Sequence, residues 1–421
     1  MNDAAPASQR DLPRDVSQVS AWLIESGLRS LPVGELLDGF CQRLNQVGVQ
    51  VKRAFLGMNT LHPMIRAHAM EWEFRQGTGP GFNFNHADVD DPVWQTSPFA
   101  PMLREGIGER RQLLTVSEAE LSSPILRELK GEGMSEWLGC VFSFGARDIR
   151  IHGERTARDA DQLGVIFSFV TDRPGGFGNA DIEILHGLLP LFALGVKATT
   201  MRSVGRGLLS TYLGQDPADR VLHGTIFRGD VERVDAVLFY ADLRGFTHLA
   251  DVMSGKDLVS MLDDYFDCMA RPVVSRGGEI LKFMGDGLLA TFGIGGTSRA
   301  EACRLALDAA NEALATVATL NAARAAAGTP FAGLDLALHI GELLYGNVGT
   351  DARLDFTVIG PAVNEASRIE LLCKSLGYNL LISERFAAAA GDSRRRLSSV
   401  GRHRLRGVRE DTELFTLAPA G

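Results

Sequence analysis

The spacing of hydrophobic residues gives the two halves of the chain different patterns. Apolar residues recur at helical spacing over residues 16–47 and predict an amphipathic helical segment. A helix is also predicted from a cap at Asn179 or Asp181 to about Met201. Between them, alternation of apolar and polar positions predicts four strands, at residues 52–59, 66–74, 139–145 and 162–172. Residues 16–201 therefore form a mixed α/β module, and residues 1–15, which show no periodicity, form a disordered leader.

The second half begins after a partly helical connector, residues 202–232. The apolar run AVLFYA predicts a buried strand that ends at Asp242, and a helix follows it. The segments EILKFM and LLATFG flank Gly-Asp-Gly, a strong signal for a tight hairpin. An alanine-rich helix, further strands and a helix with proline in its first turn come next. This order of strand, helix, hairpin, helix and strand predicts a ferredoxin-like α+β domain over residues 233–418.

Composition narrows the classes of protein that remain. The length of 421 residues suits two or three domains, and the net charge of −9 argues against a nucleic-acid-binding surface. The five cysteines form no C-x-x-C motif and predict buried thiols in a reducing compartment. The most apolar window, ILHGLLPLFALGV, is interrupted by His186 and Pro190 and is short for a membrane span. With a polar N-terminus that lacks a signal-peptide core, these features predict a cytoplasmic protein without a membrane span.

Charged residues inside apolar segments mark the candidate chemistry. Lys282 and Asp286 interrupt the hairpin, and on an extended strand their side chains would share a face. Pairing of the first strand with the hairpin would place Asp242 beside Asp286. Two adjacent carboxylates repel unless a cation lies between them, and oxygen ligands on strand ends favour Mg²⁺ or Mn²⁺. Gly245 then leads into a helix whose free N–H groups suit a polyphosphate.

A second group of polar residues lies on the helix that follows FTVIG. Asn364 and Arg368 are four residues apart and therefore share one helix face. A neutral donor and a guanidinium directed at one point suit an oxygen that gains negative charge in a transition state. No Ser–His–Asp or Cys–His arrangement is visible nearby, so the sequence does not indicate a covalent intermediate.

Four motifs together, FYADLRGFT, LKFMGDGLLATF, GELLYGNVG and FTVIGPAVNEASR, resemble the catalytic domain of class III adenylate and guanylate cyclases over roughly residues 230–418. The resemblance implies a homodimer that binds a nucleoside triphosphate at sites shared between two chains, each site with two Mg²⁺ or Mn²⁺ ions. It assigns the metal ions to Asp242, Asp286 and the backbone carbonyl of Leu243. Other implied contacts are Asn364 and Arg368 from the second chain, the turn Gly245, Phe246 and Thr247 for phosphates, and Arg406 for the terminal phosphates.

The same resemblance implies a choice of base. Lys282 falls at the adenine-selecting position, and Thr357 stands where the family usually has aspartate. A threonine hydroxyl can still donate or accept a hydrogen bond at the adenine edge, so Lys282 with Thr357 favours ATP over GTP. Threonine in place of aspartate at position 357 also resembles the subgroup that contains bicarbonate-responsive soluble cyclases. Stimulation by bicarbonate is therefore a hypothesis, tested by comparing cyclic AMP formation in bicarbonate and in chloride at fixed pH.

Alternatives stay open at the level of sequence. Singly, Asp286 could be a turn former, Asp242 a strand cap and Lys282 a solvated side chain. The ordered motifs favour an adenylate cyclase, while a guanylate cyclase and a catalytically silent nucleotide-binding regulator of the same fold are the alternatives. Residues 16–201 resemble GAF-type sensor domains in pattern only, and they predict regulation by an unknown small-molecule effector.

Overall fold

The computed structural model describes residues 12–60, 65–86, 92–144, 164–293, 296–406 and 411–418. The chain divides into two compact units, residues 1–208 and 209–421. The division falls inside the predicted connector. The first helix begins at Leu12, so residues 12–15 do not belong to the predicted disordered leader, and the rest of that leader, residues 1–11, lies outside the described residues.

The first unit is an antiparallel sheet with helices on both faces. Its helices are α1 (Leu12–Leu28), α2 (Val33–Val47), α3 (Pro92–Gln95), α4 (Phe99–Glu105), α5 (Pro124–Gly131) and α6 (Asn179–Leu213). Its strands are β1 (Arg53–Asn59), β2 (Ile65–Glu73), β3 (Gly77–Thr78), β4 (Phe82–Asn85), β5 (Glu109–Leu113), β6 (Glu136–Ser143) and β7 (Gly164–Thr171). They are ordered β3-β2-β1-β7-β6-β5, and β4 pairs with β2.

Aromatic residues hold the main core of the first unit together. Phe40 of α2 stacks on Phe192 of α6 with ring centroids 4.3 Å apart, and Phe167 of β7 lies 4.9 Å from Phe192. Helix α6 continues well beyond the predicted end at Met201. Among the described helices it alone passes a length and composition test for a membrane span, but half of the tested stretch is buried, as in the core helix of a globular domain.

The second unit has the predicted ferredoxin-like core with additional strands at one edge. Its helices are α7 (Gln215–Leu222), α8 (Phe246–Val252), α9 (Gly255–Val274), α10 (Arg299–Ala326), α11 (Pro361–Leu376) and α12 (Glu384–Ala389). Its strands are β8 (Val231–Arg244), β9 (Glu279–Met284), β10 (Gly287–Phe292), β11 (Gly333–Thr350), β12 (Arg353–Ile359), β13 (Leu380–Ser383), β14 (Leu397–His403) and β15 (Thr412–Leu417). The sheet order is β14-β15-β13-β11-β8-β10-β9, and β12 pairs with β11.

Helices cover both faces of this sheet. On β8, Val237, Phe239 and Ala241 belong to the apolar core that contains buried residues of α9 and α10. Residues of opposite parity point to the other face, where Ala362 and Ala366 of α11 pack against the sheet. Asp242 shares that second parity, so the strand pattern places its carboxylate on the α11 face.

Candidate active site

Asp242 and Asp286 meet where β8 passes the β9–β10 hairpin. Strand β8 pairs with β10 so that Ala241 is opposite Leu288, which places Asp242 next to Gly287 and the turn. The turn residues are Gly285 and Asp286, and Gly285 has φ +67°. Glycine at the first central position fits a type II′ hairpin, so the turn itself does not require an aspartate after it. The identity of Asp286 therefore needs a different explanation.

Electrostatics indicate that this pair of carboxylates suits a cation. Burial, and then the charges of Asp286 and Asp335, raise the pKa of Asp242 to about 6. Burial also raises the pKa of Asp286, although its own backbone N–H opposes the shift. A raised carboxyl pKa means that the folded chain loses stability as the pH rises through about 6, unless positive charge compensates.

The donor set fits Mg²⁺ or Mn²⁺. In the described part of the chain, no group of three or more His, Cys, Asp or Glu side chains is placed to hold a metal ion. Two carboxylates and a backbone carbonyl suit an ion that takes its remaining ligands from water and substrate phosphates, as Mg²⁺ commonly does.

Gly287 gives the Asp242 carboxylate its space. A Cβ at this position would lie 2.8 Å from Oδ1 of Asp242 and 2.9 Å from the carbonyl oxygen of Ala241. The Gly287→Ala variant must therefore displace the carboxylate or the strand, and we expect at least a tenfold loss of divalent-ion-dependent activity, with stability reduced by about 1–3 kcal/mol. The Gly255→Ala variant is the control, because no atom lies within 4 Å of its Cβ position. Equal activity of the two variants would contradict this role for Gly287.

Three further charged residues lie around Asp242, and the sequence analysis did not single them out. Asp335 of β11 is directly opposite Asp242 and is 4% exposed. It accepts hydrogen bonds from Arg244, one of them from Nε at 2.9 Å. Glu370 of α11 is 7% exposed, and burial followed by the charges of nearby aspartates raises its pKa to about 7. The sequence contained a signal for these three residues, because each is a charged residue that interrupts an apolar segment.

The phosphate-binding turn predicted after β8 has a suitable backbone. Gly245 has φ +86° and immediately precedes α8, which begins at Phe246. Gly245 and Thr247 are exposed, and Phe246 packs in part against the core. The first N–H groups of α8 have no partner within the helix, so this turn can offer donors to an anion.

Asn364 and Arg368 lie in the first half of α11, away from the residues that the helix buries. Asn364 is exposed and Arg368 is half-buried, whereas Ala362, Ala366 and Ile369 pack inward. Among the described residues, neither polar side chain forms a hydrogen bond or ion pair. Their donors are therefore available to a ligand or to a second chain.

Residues 230–419 match the family model of the adenylate and guanylate cyclase catalytic domain. This part of the chain belongs to that family. The match contains every candidate residue described above.

The cyclase domain is also similar to named relatives. It is 34% identical to an adenylate cyclase of Anabaena cylindrica over 147 residues, which are 35% of this chain and 29% of the relative. Adenylate cyclase 1 of Rhizobium meliloti (strain 1021) is 34% identical over 163 residues, 38% of this chain and 24% of the relative. The solved adenylyl cyclase CyaB from P. aeruginosa matches with 24% identity and a TM-score of 0.42, over 46% of this chain and 97% of that one. The chain spans less than a third of the length of the Anabaena cylindrica and Rhizobium meliloti relatives.

Lys282 of the cyclase domain has a partner that the sequence analysis missed. Its ammonium group forms an ion pair with Asp355 of β12, and both side chains are about half exposed. Thr357, the residue predicted to act with Lys282, lies two positions further along β12 and therefore on the same face. Lys282 does not pair with Asp286. The sequence contained a signal for this pair, because Asp355 and Thr357 are alternate residues of the segment LDFTV and so share one face of a strand.

The last candidate residue is Arg406. It is exposed after β14, and no hydrogen bond or ion pair joins it to another candidate residue in the described part of the chain. Its proposed contact with terminal phosphates stays a prediction.

Proposed function

We propose that the chain is an adenylate cyclase that converts ATP to 3′,5′-cyclic AMP and pyrophosphate. The observation that carries the proposal is the juxtaposition of Asp242 and Asp286 in a domain of the cyclase family, where burial and mutual repulsion favour a divalent cation. The adenylate cyclase relatives support the choice of ATP, although they share only part of their length with this chain.

The residues of the domain divide the reaction between two chains. Asp242, Asp286 and the Leu243 carbonyl would hold two Mg²⁺ or Mn²⁺ ions, and the turn at Gly245, Phe246 and Thr247 would bind phosphates. When bound, the ions supply positive charge to the attacking 3′-oxygen and to the phosphates.

In the second half-site, Asn364 would orient the ribose and Arg368 would stabilise charge on the α-phosphate, both from the partner chain. The 3′-hydroxyl transfers its proton to solvent water, its oxygen forms a bond to the α-phosphorus, and the bond from the α-phosphorus to the pyrophosphate oxygen breaks, so that pyrophosphate leaves. No covalent enzyme intermediate is needed, because positioning and charge stabilisation are sufficient for phosphoryl transfer.

Lys282, Asp355 and Thr357 would form the base-selecting surface. An ammonium group has three donors, so Lys282 can keep Asp355 as a partner and donate to a ring nitrogen of adenine. Thr357 adds a hydroxyl that can donate or accept on the same strand face. The ion pair thereby limits the orientations of a long, half-exposed lysine.

The Asp355→Asn variant tests this surface. We expect the KM for ATP to rise by up to about fivefold and the preference for ATP over GTP to fall, because a half-exposed ion pair contributes no more than about 1 kcal/mol. The expected change in kcat is smaller. The Asp351→Asn variant removes an exposed charge from the same β11–β12 hairpin and serves as the control. If both variants have the same KM and the same nucleotide preference, Asp355 does not orient Lys282.

The remaining assignments are part of the same proposal. The enzyme would act as a cytoplasmic homodimer with two shared active sites, and residues 16–201 would adjust its activity. The GAF-like identity of that module, its effector and the bicarbonate response stay predictions.

Product analysis tests the proposed function. Full-length protein is incubated with ATP or GTP and Mn²⁺, and cyclic nucleotides are quantified. Formation of cyclic AMP from ATP, well above cyclic GMP from GTP, is the expected result. Predominant cyclic GMP would reject the substrate assignment. If neither the full-length protein nor a fragment starting at residue 205 forms cyclic AMP or cyclic GMP, the proposed activity is rejected.

A further inference from the structure

Glu370 is a buried carboxylate that no structural role explains. It is 7% exposed on the inner face of α11, between the buried residues Ile369 and Cys373. In the described part of the chain it accepts no hydrogen bond and forms no ion pair. Buried carboxylates are usually paired, so a group in this position points to a partner outside the protein chain.

Two contacts of α11 fix where Glu370 lies relative to the sheet. One turn before it, Ala366 belongs to an apolar cluster against which Tyr240 packs, and Tyr240 is two residues before Asp242 on β8. One turn after it, the Cys373 thiol contacts the carbonyl oxygen of Leu336, which follows Asp335 on β11, at 3.6 Å. Glu370 therefore lies between two contacts of α11, one with the end of β8 that carries Asp242 and one with the end of β11 that carries Asp335.

The charges in this region do not balance. Burial, and then the charges of Asp242, Asp335 and Asp286, raise the pKa of Glu370, and Arg244 is the cation that opposes them. The guanidinium of Arg244 already donates to Asp335, to the carbonyl oxygen of Tyr378 and to Asn379. Negative charge therefore exceeds positive charge on the α11 side of the site, where a divalent cation would compensate it.

We propose that Glu370 is a positioning residue of the cation site, which accepts hydrogen bonds from water bound to the ion held by Asp242 and Asp286. This inference rests on the proposed function. Direct ligation does not fit, because no group of three such side chains in the described part of the chain is placed to hold one ion. Mg²⁺ and Mn²⁺ retain water ligands, and acceptors around those ligands typically change metal affinity by about 10–100-fold.

The position of Glu370 gives this role a second consequence. The outer face of α11 carries Asn364 and Arg368, whereas its inner face carries Glu370 toward the cation site of the same chain. In a dimer with shared active sites, α11 would thus face the cation site of its own chain and donate Asn364 and Arg368 to the other site.

Binding of Mn²⁺ alone to full-length protein, measured by electron paramagnetic resonance at pH 8, tests the proposal without turnover. We expect the Glu370→Gln variant, which keeps the side-chain shape, to raise the Kd about tenfold. In chelator, its Tm should be equal to or above that of the parent, because a repelled negative charge has been removed. A merely structural role would lower the Tm and leave the Kd unchanged.

The matched control is Glu365→Gln, which removes the same charge from the same helix but lies near His339 and Arg385 instead of the aspartates. Glu370→Asp, which retains the charge, serves as a second variant if Glu370→Gln does not fold, and it should keep a Kd closer to that of the parent. The proposal is overturned if the Kd of Glu370→Gln for Mn²⁺ lies within threefold of the parental value. It is also overturned if Glu370→Asp raises that Kd by as much as is expected for Glu370→Gln. The Asp286→Ala variant separates the two claims: if it binds Mn²⁺ like the parent, the proposed cation site itself is wrong.

Discussion

Replacement of Asp286 by alanine should abolish cyclic nucleotide formation while the chain stays folded and dimeric. Asp286 is half-buried beside Asp242, and burial raises the pKa of both carboxyl groups. Loss of this carboxylate would remove a proposed ligand of ions whose charge contributes several kcal/mol to stabilising the transition state, which corresponds to a rate loss of at least about a thousandfold.

The hairpin offers a sharper version of the same experiment. Because Gly285 provides the positive φ of the turn, neither alanine nor asparagine at position 286 should disturb it. Asp286→Asn keeps the side-chain shape and removes only the charge, so it should be nearly as inactive as Asp286→Ala. Both variants should melt at or above the temperature of the parent in chelator, because a repulsion has been removed. Activity within tenfold of the parent in either variant would show that Asp286 is not a metal ligand.

The second large expected effect is that two inactive variants, co-expressed, restore activity in the dimers that they form together. Arg368→Ala should be inactive alone, because it removes the guanidinium proposed to stabilise the α-phosphate. Asp286→Ala and Arg368→Ala affect different half-sites. In a mixed dimer, one of the two sites receives an intact half from each chain. Co-expression in equal amounts should therefore restore about a quarter of the parental activity, since half of the dimers are mixed and one site in each is complete.

A control pair distinguishes rescue from residual activity. Asp286→Ala co-expressed with Asp242→Ala places both defects in the same half-site, so every site in every dimer lacks a proposed metal ligand. This pair should stay silent. If Arg368→Ala with Asp286→Ala is equally silent, or if Arg368→Ala is active alone, the two halves of the site do not come from different chains.

The elements of the second unit could be predicted from local signals. The apolar run before Asp242 gave β8, Gly-Asp-Gly gave the hairpin of β9 and β10, and Pro361 marked the start of α11. Each of these features is determined by neighbouring residues, through burial or turn geometry. The pairing of β8 with β10, and with it the proximity of Asp242 and Asp286, followed from the ferredoxin-like order.

The partners of the candidate residues could not be predicted in the same way. The Lys282–Asp355 and Arg244–Asp335 pairs join residues 73 and 91 positions apart. Such contacts depend on strand register and on side-chain reach, which hydrophobic spacing does not specify. The buried position of Glu370 follows from the same packing of α11 on the sheet.

Boundaries were less certain than the elements themselves. Helix α6 ends at Leu213, twelve residues beyond Met201, and so includes the start of the connector that was predicted to be partly helical. In the first unit, the short strands β3, β4 and β5 were not predicted, since two to five residues provide little alternation to detect.

The most direct test of the central claim is a competition between the two nucleotides. Full-length protein, and a fragment starting at residue 205, are incubated with equimolar ATP and GTP in the presence of Mn²⁺, with the Asp286→Ala variant as the blank. We expect cyclic AMP to be the main product of the parental protein and Asp286→Ala to form neither product. Predominant cyclic GMP, or no cyclic nucleotide from either parental form, would contradict it.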